Sequence, residues 1–178
     1  GGLGVRDLKA TAEHLVVSED CAAFVAEILY LGGLVVIDTD DQILPTAAFD
    51  SWLSREPEER WHNLVTLWIQ TSRVSGLIGK ADGKNVAALG PELDRSTYAA
   101  LKKLTLKVLS ENPETDPDMQ SISALMKWSS PTRTNDEYIQ WILRESEWLG
   151  ITGQGAISTF GKALLAGEEL GIQGALPA

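Results

Sequence analysis

The sequence is poor in the residues that form covalent or metal cross-links. It contains one cysteine, Cys21, in 178 residues, which excludes an internal disulfide framework and any zinc site made of several cysteines. Its two histidines, His14 and His62, have no second ligand three or four residues after them. We therefore expect neither histidine to bind a metal ion.

The sequence also shows no membrane-spanning or targeting segment. No apolar run approaches the ~20 residues that a membrane-spanning helix needs, and neither a signal peptide nor a lipidation motif is visible. We therefore expect a soluble, cytoplasmic protein. The sequence does not begin with methionine, and we expect it to be part of a longer chain.

Motifs for nucleotide binding and catalysis are incomplete. The stretch GKADGKN, residues 79–85, has three residues where a P-loop needs four, and Asn85 replaces the required Ser or Thr. The pair Gly153 and Gly155 is followed by Ser158 where the dinucleotide fingerprint needs Gly or Ala. Because no Ser/His/Asp or Cys/His set can be assembled either, the sequence predicts a non-catalytic protein without a cofactor.

What the sequence does contain is an uneven excess of acidic residues. Its net charge is −10, which argues against non-specific binding to a polyanion. Residues 1–72 carry 4 basic and 12 acidic groups (−8), and residues 108–178 carry 4 and 10 (−6). Residues 73–107 carry 7 and 3 (+4). Any nucleic-acid contact is therefore expected in this central segment.

Helical periodicity dominates the first half. Ser18 is a good N-cap, and Gly32 and Gly33 are typical of a helix C-terminus. A run rich in β-branched residues then predicts two short strands. The predicted elements are two helices, a hairpin, a short helix and a long amphipathic helix, at residues 5–15, 18–31, 34–46, 46–53 and from 57 onward.

The second half repeats this order behind an additional leading helix. Its predicted elements are helices at 94–112, 121–128 and 134–149, and a hairpin at 151–159. Thr134 and Glu137 suggest a capping box, and Gly153 and Gly155 are expected to supply the positive φ angles of the hairpin. Three helices followed by a two-stranded wing form the winged-helix arrangement. We therefore predict a mainly α fold with small β-hairpins, built from tandem winged-helix (helix-turn-helix) repeats.

The glycine-rich stretch between the halves is interpreted as a connection. The predicted division is a first winged-helix-like repeat with its amphipathic helix, a connecting segment and a second winged-helix repeat, at 1–74, 75–93 and 94–178. The first repeat lacks a leading helix. We expect an upstream segment or a helix from elsewhere in the chain to take its place.

Basic residues of the central segment are the candidates for nucleic-acid contact. They are Lys80, Lys84, Arg95, Lys102, Lys103 and Lys107. Lys103 and Lys107 lie one helical turn apart, and the alternative is that they form an ordinary solvated helix face. The helices that would read a duplex, 18–31 and 134–149, each have a charge balance of −3. They would repel DNA in the usual docking mode.

Glu27 and Glu145 are candidates for buried structural carboxylates. Each lies four residues before a leucine, Leu31 or Leu149, and so on the same helical face as that leucine. We interpret them as equivalent positions of the two repeats. A carboxylate on the core side needs hydrogen-bond donors, and a structural role is favoured over the alternative of a binding role.

Several segments resemble a bacterial family of helicase-associated proteins, whose region is similar to the N-terminal domain of XPB-type helicases and is often labelled helicase C-terminal-domain-containing. They are GGLGVRDL at 1–8, AEILYLGGLV at 26–35, LPT at 44–46, SWL at 51–53, EERW at 58–61 and WLGITGQGAIS at 148–158. The resemblance implies a domain of a larger protein, built from winged-helix units and acting in DNA transactions or transcription. It brings no catalytic residues.

Two functions are therefore expected from the sequence. The first is a non-catalytic winged-helix module of a larger helicase-associated, DNA-processing or transcription-related protein, which contacts protein partners and, through the central segment, DNA. The alternative is a stand-alone winged-helix transcription regulator that binds duplex DNA as a dimer. An enzyme with an unfamiliar site is a third, less supported hypothesis.

Overall fold

A computed structural model describes residues 2–40, 42–79, 86–112, 119–129, 135–153 and 156–167. The chain divides into two units, Gly1–Arg95 and Ser96–Ala178. Both units are mainly helical in their described parts, and each contains an antiparallel two-stranded hairpin. The predicted mainly α fold with small β-hairpins is confirmed.

The first unit begins with two helices joined by a tight turn. Ser18 caps the second helix, and its hydroxyl oxygen accepts a hydrogen bond from the Cys21 amide at 3.2 Å. In the hairpin that follows, Val36 pairs with Leu44. The elements are α1 (Val5–Leu15), α2 (Glu19–Leu31), β1 (Val35–Ile37), β2 (Ile43–Pro45), α3 (Ala47–Leu53), α4 (Pro57–Gln70) and the 3-10 turns Ser75–Leu77 and Pro91–Leu93.

The core of the first unit forms where small and large apolar residues alternate at helical spacing. Leu8 and Ala12 of α1 cluster with Ala22 and Ala23 of α2. The small side chains allow the two helices to approach closely. In α4, the apolar stripe predicted from the sequence buries Val65, Trp68 and Ile69.

The described part of the segment 75–93, which we interpreted as a connection, lies within the first unit. Leu3 forms a β-bridge with Ala88, and the Val74 amide donates to the Leu93 carbonyl at 3.0 Å. Val74, Ala88 and Leu93 are buried. The boundary between the two units falls after Arg95, so these residues are packed parts of a unit.

The second unit is organised around its first helix. Its elements are α5 (Tyr98–Glu111), α6 (Met119–Ser129), α7 (Asp136–Trp148), β3 (Thr152–Gly153), β4 (Ala156–Ile157) and α8 (Thr159–Ala166). Helix α5 packs against α6, α7, α8 and β4. Its buried residues include Tyr98, Leu101, Leu106 and Leu109, which recur every three to five positions.

Three local predictions for the second unit need correction. Helix α5 begins at Tyr98, four residues later than predicted. The N-cap of α7 is Asn135, whose side-chain oxygen accepts from the amides of the second and third helical residues at 2.9 and 3.2 Å. Thr134 and Gly155 lie outside the described residues, and Gly153 does not have a positive φ. Gly150, just after the C-terminal end of α7, has a positive φ of 68°.

Candidate functional site

The two units share a helix and hairpin with matching hydrogen bonds. Helices α2 and α7 are each 13 residues long, and their N-caps, Ser18 and Asn135, are 117 positions apart. After each helix comes a glycine in the left-handed conformation, Gly33 (φ 63°) or Gly150 (φ 68°), again 117 positions apart. The same helix end is therefore built twice.

Each hairpin is closed by a hydroxyl group at the start of the next helix. The Thr46 hydroxyl donates to the Gly33 carbonyl at 2.7 Å, and the Ser158 hydroxyl donates to the Gly150 carbonyl at 3.0 Å. The backbone amides of the same two residues donate to the carbonyls of Leu34 and Ile151. These bonds join the helix end, the hairpin and the next helix in both units.

The common register corrects the predicted equivalence of the two glutamates. An offset of 117 matches Glu27 with Arg144, and Ile28 with Glu145. The interpretation of Glu27 and Glu145 as equivalent positions is therefore wrong by one residue. Because one residue turns an α-helix by about 100°, the two carboxylates leave their helices in different directions and have different partners.

Glu27 binds a partly buried arginine, Arg73, that follows α4. Its side chain is 3 % exposed and accepts hydrogen bonds from Arg73 Nε at 2.6 Å and Arg73 Nη2 at 3.2 Å. The Leu89 amide also donates to this carboxylate. Burial alone would lower the pKa of Arg73, but the hydrogen bond and the charge of Glu27 raise it. The carboxylate links α2 to two segments that are distant in sequence.

Leu89 takes an unusual backbone conformation to reach Glu27. Its φ is 62°, a left-handed value that a leucine rarely adopts. The Leu89 side chain is buried, and its amide donates to the Glu27 carboxylate inside the first unit. Arg73 also donates to the carbonyl of the next residue, Gly90, at 2.7 Å. The polar groups of this site therefore form hydrogen bonds with one another inside the first unit, and their role is structural.

Glu145 lies in a second buried cluster, in the second unit. It is 3 % exposed, and the Tyr98 hydroxyl lies 3.3 Å from its carboxylate. The Lys102 ammonium lies 4.5 Å from the centre of the Tyr98 ring. Burial lowers the pKa of Lys102 to about 8, against the opposing effect of the Glu145 charge. Burial, with Glu145, raises the pKa of Tyr98 far above its usual value.

The burial of Lys102 removes it from the predicted nucleic-acid surface. Its exposed fraction is 0 %, so its ammonium group cannot reach a phosphate outside the folded unit. Lys102 lies one turn after Tyr98 and one turn before Leu106, on the apolar face of α5. The helical spacing therefore contained the signal that this lysine points inward.

The other basic candidates are dispersed. Lys103 and Lys107 are exposed on α5 in the second unit, where Lys107 lies 3.7 Å from Glu111. Arg95 belongs to the first unit and donates to two carbonyl oxygens of its own turn, at 2.8 and 3.0 Å. Lys80 and Lys84 lie outside the described residues. The exposed basic surface of α5 is therefore reduced to one pair of lysines.

The sequence reasoning missed an exposed apolar and acidic segment in the first unit. Residues 15–54 contain seven acidic residues and no Lys, Arg or His. They also contain most of the exposed large apolar side chains among the described residues: Leu15, Val16, Val17, Val25, Tyr30, Val36, Leu44 and Leu53. The forty-residue absence of basic groups was the signal that could have identified it.

Two further features are absent from the described ranges. There, no group of three or more His, Cys, Asp or Glu side chains is placed to hold a metal ion. Every helix of those ranges is too short or too polar to span a bilayer.

Comparison with known proteins adds no assignment. No family model, curated protein or solved structure matches the chain.

Proposed function

We propose that the chain is a non-catalytic tandem winged-helix module of a larger cytoplasmic protein, helicase-associated, DNA-processing or transcription-related, and that it binds protein partners through its first unit. The order of helix, helix, hairpin and short helix in each unit supports the winged-helix assignment. The closing bonds shared by the two hairpins support a repeat. The connection to helicase-associated proteins is supported by the sequence resemblance alone.

The observation that carries the proposal is the chemistry of residues 15–54. This segment comprises the turn, the second helix and the hairpin, the elements with which winged-helix proteins contact DNA. Lys and Arg neutralise the charge of DNA phosphates, and the segment contains neither. It presents instead exposed apolar side chains, such as Val36 and Leu44, which form a cross-strand pair. Exposed apolar surface of this kind is typical of contacts with proteins.

DNA contact remains a minor part of the proposal, assigned to Lys103 and Lys107. Two exposed lysines neutralise few phosphates, so binding is expected to be weak and to disappear as salt rises. Fluorescence anisotropy with labelled duplex and single-stranded DNA, at low and near-physiological salt, measures this. The variant Lys103→Ala/Lys107→Ala should lose the low-salt binding. Lys162→Ala, which removes an exposed lysine of α8, should retain it.

The protein-binding role is tested by site-specific photo-crosslinking in cells that express the natural protein. A photoreactive amino acid at position 36 or 44 should form adducts with protein. The same group at Gln140, an exposed position of α7, is the control and should form few adducts. Duplex binding that is sequence-specific and persists at physiological salt, or nucleic-acid adducts at positions 36 and 44, would refute the proposal.

A further inference from the structure

The turn between α1 and α2 holds a valine in a conformation that valine rarely adopts. Val16 has φ 57° and ψ 44°, the left-handed region, where a β-branched side chain is strained. Glycine or asparagine would occupy this position with less strain. Its amide donates to the Glu13 carbonyl at 3.3 Å, and the Val17 amide donates to the Ala12 carbonyl at 3.1 Å. The backbone of the turn is therefore held in place by hydrogen bonds.

The Val16 side chain itself packs poorly within the unit. Val16 is 89 % exposed, and its neighbours Leu15 and Val17 are exposed too. Three consecutive apolar residues thus point into solvent at a tight turn, where polar residues are the usual choice. Strained residues of this kind are concentrated at functional sites. The position has the properties of a contact point for another molecule.

The charges around the turn select the chemistry of that molecule. Glu13 and Glu19 are exposed on its two sides, and the partly exposed Asp20 follows. The nearest lysine on the N-terminal side, Lys9, is six residues before Leu15, or about 9 Å along the helix. A second copy of this chain would bring two acidic surfaces together, which is unfavourable. A partner with apolar and basic groups is complementary.

We propose that the α1–α2 turn, residues 15–17, docks a basic amphipathic helix of a partner protein. Apolar residues of one stripe of that helix cover Val16 and its neighbours, and its flanking Lys and Arg side chains face Glu13 and Glu19. This inference rests on the proposed protein-binding function and names its partner class. It does not depend on the DNA contact assigned to α5.

The probe is a fluorescein-labelled 16-residue peptide with leucine at helical spacing and Lys or Arg at the remaining positions. A matched peptide has Glu in place of each basic residue. Anisotropy titrations of the whole chain should show binding of the basic peptide, at least tenfold weaker binding of the acidic one, and weaker binding at 0.5 M than at about 0.05 M salt.

The variant Val16→Asn separates docking from folding. Asn tolerates the left-handed conformation, so the urea midpoint should be unchanged or higher, while peptide binding weakens at least tenfold. Val5→Ser changes an exposed apolar residue at the other end of α1, outside residues 15–54. It is the matched control and should leave binding within about twofold of the original. Glu13→Gln/Glu19→Gln should reduce both the affinity and its salt dependence.

Three results would overturn the inference. They are equal binding of both peptides, unchanged binding by Val16→Asn, and a dimer in light scattering that Val16→Asn dissociates. Loss of binding in Val5→Ser but not in Val16→Asn is a case of the second result and would place the contact elsewhere on α1. Photo-crosslinking at positions 36 and 44 tests the proposed protein-binding function separately, because it leaves the turn residues 15–17 unchanged.

Discussion

Replacing Glu27 with alanine is expected to destabilise the first unit by about 3 kcal/mol. Removing one partner of a buried ion pair typically costs about 3–5 kcal/mol, because the other charge stays buried. Here Arg73 is 12 % exposed and would keep the Gly90 carbonyl at 2.7 Å and Asp94 at 3.6 Å. These remaining contacts place the expected loss at the lower end. The Leu89 amide would lose its acceptor as well.

Urea unfolding followed by circular dichroism measures this change. With a urea slope of about 2 kcal/mol per M, the midpoint should fall by about 1.5 M. Amide exchange of residues 86–93 should assign the loss to the first unit. Glu27→Gln keeps the shape and one acceptor oxygen, so it should cost about half as much. Glu13→Ala removes an exposed carboxylate and should change stability by less than about 0.5 kcal/mol.

A double-mutant cycle tests the ion pair itself. Glu27→Leu/Arg73→Leu removes both buried charges, so its loss should be smaller than the sum of the two single losses by at least about 1 kcal/mol. Additive losses would show that the two side chains are not coupled. A cost for Glu27→Ala no larger than that of Glu13→Ala would refute the structural role of this carboxylate.

The remaining predictions concern the second unit. Its free energy of unfolding should rise from pH 8 to 10. Burial lowers the pKa of Lys102 from 10.5 to about 8, so in this range the unfolded chain binds more protons than the folded chain. Above pH 10 the free energy of unfolding should fall, because Tyr98 then stays protonated only in the folded chain. Urea titrations at several pH values measure both changes. The variant Lys102→Met should abolish the rise. A rise that persists in this variant would contradict its assignment to Lys102. Gly161→Ala should cost about 2 kcal/mol of stability, because the added Cβ would lie 2.6 Å from the backbone oxygen of Ile151. Gly153→Ala is the control, because a Cβ there meets nothing within 4 Å. Equal urea midpoints of the two variants would disprove this. Asn135→Ala should cost about 1 kcal/mol through the lost helix cap, and Asn135→Gly only a few tenths, measured in the same way.

Periodicity and capping residues predicted most of the helices, because these signals are local. The predicted limits of α1 and α2, 5–15 and 18–31, agree with the structure to within one residue. The alternation of burial along α4 also followed from its sequence. These helices have an apolar stripe and a clear start or stop residue, so their tertiary packing agrees with their local sequence preference.

Long-range partners were beyond the reach of sequence patterns. Glu27 meets Arg73, 46 residues away, and Leu89, 62 residues away, and no local signal specifies such pairs. The register error has a related cause. We aligned Leu31 with Leu149 by residue type, whereas the structure aligns the glycines that take positive φ, Gly33 and Gly150. Backbone conformation determined the equivalence, and residue identity did not.

The hydroxyl bond that closes each hairpin has a consequence for how such a protein can change. The bond joins residues 13 apart in the first unit and 8 apart in the second, a difference of five, yet both helix ends keep the same geometry. Length variation is thus confined to the hairpin itself, whose strands are three residues long in the first unit and two in the second. The hairpin tip is therefore a natural insertion point, where added residues alter the reach of the loop without moving the helices on which it stands.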